Sequence, residues 1–462
     1  MKVEKGREKK NFIWRKVLII VFWLFVWQML AWIVDSTILL EGPIAVCNRL
    51  FEDFRTVEYY LTVGASVLRI AGGFVCGMLI AVLFSAVSAK SKLFEEVFMP
   101  VVQFFKSAPI TCFVVLLLIW TGSENLAFYI AVLVTFPPIY FNLLEGLKQL
   151  DNQLLEMARV YRMPFKNRMR YIYLPGIEPF FISALTLAIG TAFKAGVAAE
   201  IIGTPDYSMG ERIYMSKIYL DTAGVLSWMI TIIVVAYLCE KLFVKVANFY
   251  LHKKKTAHVA RKKQAENEKD YQPKAIVFEN CTVTFEKNII LDNFSKRFEV
   301  GKIYAITGNS GIGKTTLLKT IMGLIKPSKG ECRGSENVKA VVFQENRLFE
   351  EYTAVDNVYA TGHCYMDCES VQNALEELLP KESLLQPLRE FSGGMKRRVE
   401  LARAMLSCGE MILLDEPFNG LDDETKERAI SFINQYKQGR TVILTTHCPA
   451  DIQNVKAEEY KL

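Results

Sequence analysis

No cysteine framework organises this sequence. Its ten cysteines are scattered, several of them inside apolar runs, which excludes a small disulfide-stapled domain and fits a reducing compartment. Cys364 and Cys368 stand beside His363 without a second ligand pair at finger spacing, so no zinc site is expected there. No small-residue cleavage site follows the N-terminal apolar segment, and the segment is too long for a signal-peptide core, so it reads as a retained membrane helix. Charge is absent from Val17 to Val34, VLIIVFWLFVWQMLAWIV, eighteen residues against the roughly twenty that a helix needs to cross a bilayer.

What is present divides the chain. At 462 residues it is too long for one core, and 51% apolar residues with 30 Phe sit beside 23% charged residues. Two characters must be segregated along it. The net charge of +6 gathers in residues 1–16, in the stretch 156–175 and between His252 and Lys263. Those places flank apolar runs, so membrane topology explains them and no nucleic-acid partner is expected.

Further apolar runs lie near Ile70 to Ser88, Ile110 to Trp120 extended towards Val102, Ala127 to Leu144, Phe180 to Ile202 and Val225 to Cys239. With the first they make six expected crossings, and the positions of Lys and Arg place both ends in the cytoplasm. The expected organisation is a basic cytoplasmic tail over 1–16, an all-α six-helix transmembrane domain over 17–250, a linker over 251–272 and a soluble α/β domain over 273–462. Residues 147–178 form the largest inner loop and carry Lys148, Arg159, Arg162, Lys166, Arg168 and Arg170. Within it Asp151 can cap a helix, Leu154, Leu155, Ala158 and Tyr161 recur at helical spacing, and Pro164 stops it. Such a helix could lie on lipid, which its basic face permits, or meet a soluble partner.

In the soluble part, the strand-like run Ile303 to Ile306 leads into GNSGIGKTT, Gly308 to Thr316, a match to G-x-x-x-x-G-K-[ST]. Its glycines let backbone N–H groups face phosphates at a helix N-terminus. Gly308, Asn309, Ser310, Gly311, Gly313, Lys314, Thr315 and Thr316 are therefore the expected ATP-binding residues, with Lys314 on the β and γ phosphates and Thr315 on Mg²⁺. The apolar run MILLDE, Met411 to Glu416, ends in two carboxylates: Asp415 is suited to the metal and Glu416 to activating a water.

Between these motifs, Ser392-Gly393-Gly394 resembles the signature of the ATP-binding cassette ATPases. In that family the signature of one subunit contacts the γ phosphate held by the other, so the resemblance implies a homodimer. Gln344 resembles the family's Gln loop, with a catalytic and Mg²⁺ role, Asp422 its aspartate loop, His447 its switch histidine and Phe285 its adenine-stacking aromatic. Met395 departs from the usual Gln. The cassette is expected to carry no appended regulatory domain.

The inner loop resembles the cytoplasmic Glu-Ala-Ala loop of binding-protein-dependent permeases, through Glu156-Met157-Ala158 and Ile172 to Pro175, with Leu174 and Pro175 closing it. Arg162 stands near the usual glycine. The resemblance implies that this loop docks on the ATPase near the Gln loop. Val101 to Gly122, Ala198 to Ile213 and Val342 to Val358 narrow the likeness to the nitrate, sulfonate and taurine importers. The expectation is an ATP-driven importer, permease and ATPase fused, in the cytoplasmic membrane and supplied by a separate extracytoplasmic solute-binding protein. The alternatives are an exporter half-transporter, opposed by the short inner loops, and a non-transporting signalling ATPase, opposed by the small outer loops. The solute stays open among sulfonates, taurine, nitrate and thiamine-precursor pyrimidines. For Lys194, inside the fifth run, pairing with an acid such as Glu200 is preferred over lining an anion path.

Overall fold

The computed structural model describes residues 2–255, 275–285, 288–309, 311–335, 339–362, 364 and 366–462, with backbone alone for 2–13, 251–255 and 285. Most of the expected linker therefore lies outside the described residues. The chain divides into two units, 1–149 with 177–250, and 150–176 with 251–462.

The helices of the N-terminal half are, in chain order, α1 (Lys2–Val34), α2 (Pro43–Phe54), α3 (Val57–Lys90), α4 (Lys92–Ser107), α5 (Ile110–Thr121), α6 (Leu126–Lys148), α7 (Asn152–Val160), α8 (Phe165–Arg168), α9 (Leu174–Gly203), α10 (Met209–Ile218) and α11 (Thr222–Lys255). Helix α1 continues through the basic tail. Among the described residues, five helical stretches are long and apolar enough to cross a membrane, and α4 and α5, meeting at 98°, form a bent pair that passes the same test of length and composition only when taken together. The break falls at Ala108-Pro109, because proline has no N–H to continue the helix and disfavours the α region at the residue before it.

The core of the first unit is a seam between α3 and α6. Gly73 and Gly77, four residues apart, let the backbones approach until a Cβ at Gly73 would lie 2.3 Å from the Phe128 carbonyl oxygen, and one at Gly77 2.8 Å from that of Val132. Without a hydrophobic drive between helices in lipid, such small-residue seams supply the close packing. Ile70, Phe74, Ala131, Tyr140, Ala188 and Phe193 fill the space around it.

The second unit holds two sheets. The three-stranded one, in the order β2-β1-β4, is antiparallel and uses β1 (Ile276–Phe285), β2 (Asn288–Phe298) and β4 (Lys329–Arg333). The five-stranded one, in the order β5-β6-β7-β3-β8, is parallel and uses β3 (Ile303–Thr307), β5 (Lys339–Val342), β6 (Met411–Asp415), β7 (Thr441–Thr445) and β8 (Glu458–Lys461). Strands β5, β6 and β7 are buried throughout, which is why they read as uninterrupted apolar runs and not as alternations. Among the described residues, six α-helices follow β3: α12 (Lys314–Ile321), α13 (Ala354–Ala360), α14 (Cys368–Glu376), α15 (Gly393–Met405), α16 (Asp423–Tyr436) and α17 (Pro449–Val455).

The inner loop belongs to this unit. Met157, Ala158, Val160, Tyr161, Met163, Tyr171 and Ile172 share one buried cluster with the strands of the soluble domain. Asp151 caps α7, its Oδ1 accepting from the Gln153 N–H at 2.8 Å. Arg162 adopts φ 49°, the left-handed backbone that glycine takes most easily. A π-helical turn, Met169–Tyr173, runs without a break into α9, so Leu174 and Pro175 close the loop inside one continuous helical stretch; proline brings no N–H to that stretch, and the π turn lies directly before it.

Candidate functional site

Strands β6, β7 and β3 lie side by side, so the residues after their carboxyl ends share one crevice, the place where open parallel sheets bind ligands. After β3 the chain turns through Gly308 (φ 148°), Gly311 (φ 85°) and Gly313 (φ 113°) into the N-terminus of α12. A Cβ at Gly313 would meet Ile290 Cγ2 at 2.9 Å, so this glycine is required by space as well as by angle. A Cβ at Gly311 would meet nothing within 4 Å, leaving that side of the loop open. Lys314 is only 6% exposed, and its Nζ donates to the carbonyl oxygens of Gly308 (2.8 Å) and Asn309 (3.0 Å). A buried ammonium at a helix N-terminus, ringed by glycine backbone, is a donor set that fits an anionic phosphate chain. Thr315 and Thr316 follow in the first turn. Ser310 and the Phe285 side chain lie outside the described residues.

Asp415 ends β6. Its Oδ1 accepts from Thr445 Oγ1 at 2.7 Å and its carboxyl also bonds Thr315; burial pushes its pKa up, and these hydroxyls oppose the shift. The pairing of Thr315 with Asp415 is the hydroxyl and carboxylate couple that suits a hard divalent cation. Glu416, next in the chain, takes φ 49°, an uncommon backbone for a residue with a side chain. Its N–H donates to Thr445 Oγ1 at 2.9 Å, and its Oε1 lies 3.1 Å from His447 Nε2, just after β7. Both side chains face a pocket of about 300 Å³ that Asn419, Lys426 and Asp451 also line. Gln344, separated from β5 by the buried Phe343, is exposed.

Ser392 caps α15, its Oγ accepting from the Met395 N–H at 3.3 Å. Gly393 faces open space, and a Cβ at Gly394 would lie 3.3 Å from the Gly420 carbonyl oxygen. Asp422 caps α16 through bonds from the Thr425 hydroxyl (2.6 Å) and N–H (3.3 Å), which hold its carboxyl below the ordinary range.

On the docking side, Glu156 pairs with Arg347 at 3.0 Å and Ala158 is buried. Tyr161, by its helical spacing one more apolar position, has a polar task in the structure. Its hydroxyl donates to the Val341 carbonyl (2.8 Å) and accepts from the Val341 N–H (3.0 Å), satisfying both backbone groups on the free edge of β5. Burial raises the phenol pKa, opposed by Arg403, whose guanidinium lies 5.5 Å from the ring. Arg347, Arg397 and Glu400 were also missed. Arg397, Glu400 and Arg403 recur three apart on α15, a charged face on a helix whose last turns are otherwise apolar and buried.

The expected pairing of Lys194 with Glu200 is not formed. Six residues apart, they occupy different faces of α9; Lys194 is exposed, while Glu200 is fully buried, accepting from Ser66 Oγ (2.9 Å) and the Gly210 N–H (3.3 Å).

Fold and site together define a polytopic membrane domain joined to a P-loop ATPase domain. Residues 291–419 match the ABC transporter family, and residues 73–256 match the binding-protein-dependent transport system inner membrane component. The aliphatic sulfonates import ATP-binding protein SsuB 1 of Rhizobium johnstonii is 34% identical over 189 residues, 38% of this chain and 68% of that protein. The glucose import ATP-binding protein GlcV of Saccharolobus solfataricus is 32% identical over 201 residues, 38% of this chain, and the match spans 57% of that protein's length. An ABC transporter ATP-binding protein of Pyrococcus furiosus, of known structure, is 26% identical over 41% of this chain and 98% of its own, with a TM-score of 0.36. The chain belongs to the ABC transporter family, as a multi-pass membrane protein with a cytoplasmic ATPase cassette.

Proposed function

We propose that the chain imports a small solute across the cytoplasmic membrane at the expense of ATP, working as a homodimer that a separate solute-binding protein supplies. The observation that carries this reading is the joining, in one chain, of a binding-protein-dependent membrane component with an ABC cassette. The docking segment built into the cassette's core supports it, because an importer needs a mechanical link at that place. The sulfonate relative favours a sulfonate, taurine, nitrate or thiamine-precursor-like solute.

In this reading Gly308, Asn309, Ser310, Gly311, Gly313, Lys314, Thr315 and Thr316 bind the phosphates, and Phe285 stacks on the base. Glu416 takes the proton of the attacking water, and His447, at 3.1 Å, orients that carboxylate. Thr315, Asp415 and Gln344 would hold Mg²⁺, which when bound neutralises phosphate charge. Ser392, Gly393 and Gly394 act on the nucleotide of the partner chain, with Asp422 beside them. Closure of the cassettes around ATP moves the docking segments, with Glu156, Ala158, Leu174 and Pro175, and turns the permease outward. Lys194, left without the expected acidic partner, lines the solute path and favours an anion.

The test is ATP hydrolysis by the purified chain in proteoliposomes, with the solute-binding protein loaded in turn from a panel of sulfonates, nitrate and pyrimidines. Stimulation by one loaded form is expected. Activity flat across that panel and raised only by lipophilic compounds would replace import by export.

A further inference from the structure

A chain of ionic and backbone hydrogen bonds joins the docking helix to the catalytic strand, through residues that none of the nucleotide motifs contains. Arg347 donates from its side chain to Glu156 Oε2 at 3.0 Å and from its backbone N–H to Glu400 Oε1 at 2.6 Å. Glu400 Oε2 accepts from one terminal nitrogen of Arg397 at 3.0 Å. The other terminal nitrogen of Arg397 donates to the carbonyl oxygens of Asp415 (2.5 Å) and Glu416 (2.8 Å). Arg403 braces the chain, donating to the Arg347 carbonyl at 2.7 Å and lying 3.5 Å from Glu400. The side chains of Glu400 and Arg403 have no exposure, and those of Arg397 and Arg347 are 5% and 8% exposed.

Stability alone is a poor reason for this construction, since buried ion pairs are often matched or bettered by apolar residues of the same volume. Geometry is a better one. A guanidinium fork fixes several acceptors in one plane, and here it holds the two carbonyls that flank the left-handed turn carrying the Glu416 carboxylate.

We propose that Glu400 is a positioning residue, relaying the place of α7 to the backbone of Asp415 and Glu416. The inference rests on the reading of the cassette as a transport ATPase. When α7 shifts, Glu156 carries Arg347 with it; the Arg347 N–H pulls on Glu400, Arg397 follows, and the Glu416 carboxylate turns relative to the attacking water. Displacements near 1 Å at a reacting centre change rates about a hundredfold, so a short relay suffices.

The experiment measures the ATP dependence of hydrolysis by the full chain in proteoliposomes. Glu156→Gln keeps the shape and removes the charge at the more exposed end of the relay. It should lower kcat roughly ten- to a hundredfold with KM for ATP and the thermal midpoint unchanged. Glu400→Gln should lower kcat likewise, here with a lower thermal midpoint because Arg397 and Arg403 lose their buried carboxylate, and the kcat of the double variant should be no lower than that of Glu400→Gln, because both break one chain. Should Glu400→Gln not fold, Glu156→Gln and Arg397→Lys decide by hydrogen exchange across residues 415–419, which both should speed up. Additive losses in kcat, a changed KM or a lower thermal midpoint in Glu156→Gln, or unchanged exchange would overturn the relay. A wild-type chain that hydrolyses no ATP would overturn the functional reading and the relay with it, whereas an active wild type with additive variants removes the relay alone.

Discussion

At the scale of single residues, the proposed reading separates groups that hold from groups that react. Glu416 sits on a backbone turn fixed by Thr445 and Arg397, and its carboxylate is the acceptor beside His447. Glu416→Gln should reduce ATP turnover about 10²- to 10⁴-fold while equilibrium binding of labelled ATP persists; retained turnover would assign the base elsewhere. Tyr161→Phe removes one hydroxyl and orphans two buried backbone groups of Val341. The loss should be about 1–3 kcal/mol, read as a lower thermal midpoint. Because burial raises the Tyr161 phenol, the hydroxyl's contribution is complete below about pH 10 and is lost only as pH climbs through the raised value. Lys194→Met should impair uptake of an anionic solute and leave ATP binding intact; unimpaired uptake would remove lysine from the solute path.

Among elements, close approach decides what can be changed. The α3–α6 seam tolerates no side chain at Gly73, where a Cβ would press on the Phe128 carbonyl. Gly73→Ala should separate the two helices and reduce the yield of protease-resistant membrane domain, whereas Gly64→Ala on the same helix, where a Cβ meets nothing within 4 Å, should be silent. The docking segment shows how one element obtains two partners. Its apolar face joins the cassette core and Tyr161 pairs with the edge of β5, which explains why a basic, polar-looking loop is nevertheless buried in part.

For the whole molecule, the proposed pairing of chains predicts complementation. A chain with Lys314→Ala and a chain with Ser392→Arg should each be inactive alone, and mixing them before reconstitution should restore part of the ATPase activity, since one composite site then has an intact phosphate loop and an intact signature. No recovery would mean that the site is not shared between chains. Much of this architecture was legible in sequence because its determinants are local: an uncharged run of eighteen residues, Val17 to Val34, and the glycine spacing of Gly308 to Thr316 each impose a conformation on neighbouring residues. The capping of α7 by Asp151 was legible for the same reason. The bend of 98° between α4 and α5 was not, because an apolar run registers length and composition while the angle depends on packing around Ala108-Pro109. Nor was the failure of Lys194 to meet Glu200, since Glu200 was claimed by Ser66 and Gly210, far from it or beyond it in the chain. By itself the sequence determined that a polytopic membrane domain precedes a P-loop cassette, since periodicity and motif spacing act over a few residues. Only the tertiary structure decided that Glu156, Arg347, Glu400, Arg397 and Glu416 form one connected chain, because hydrogen bonds between residues distant in sequence exist only after the strands and α15 have packed.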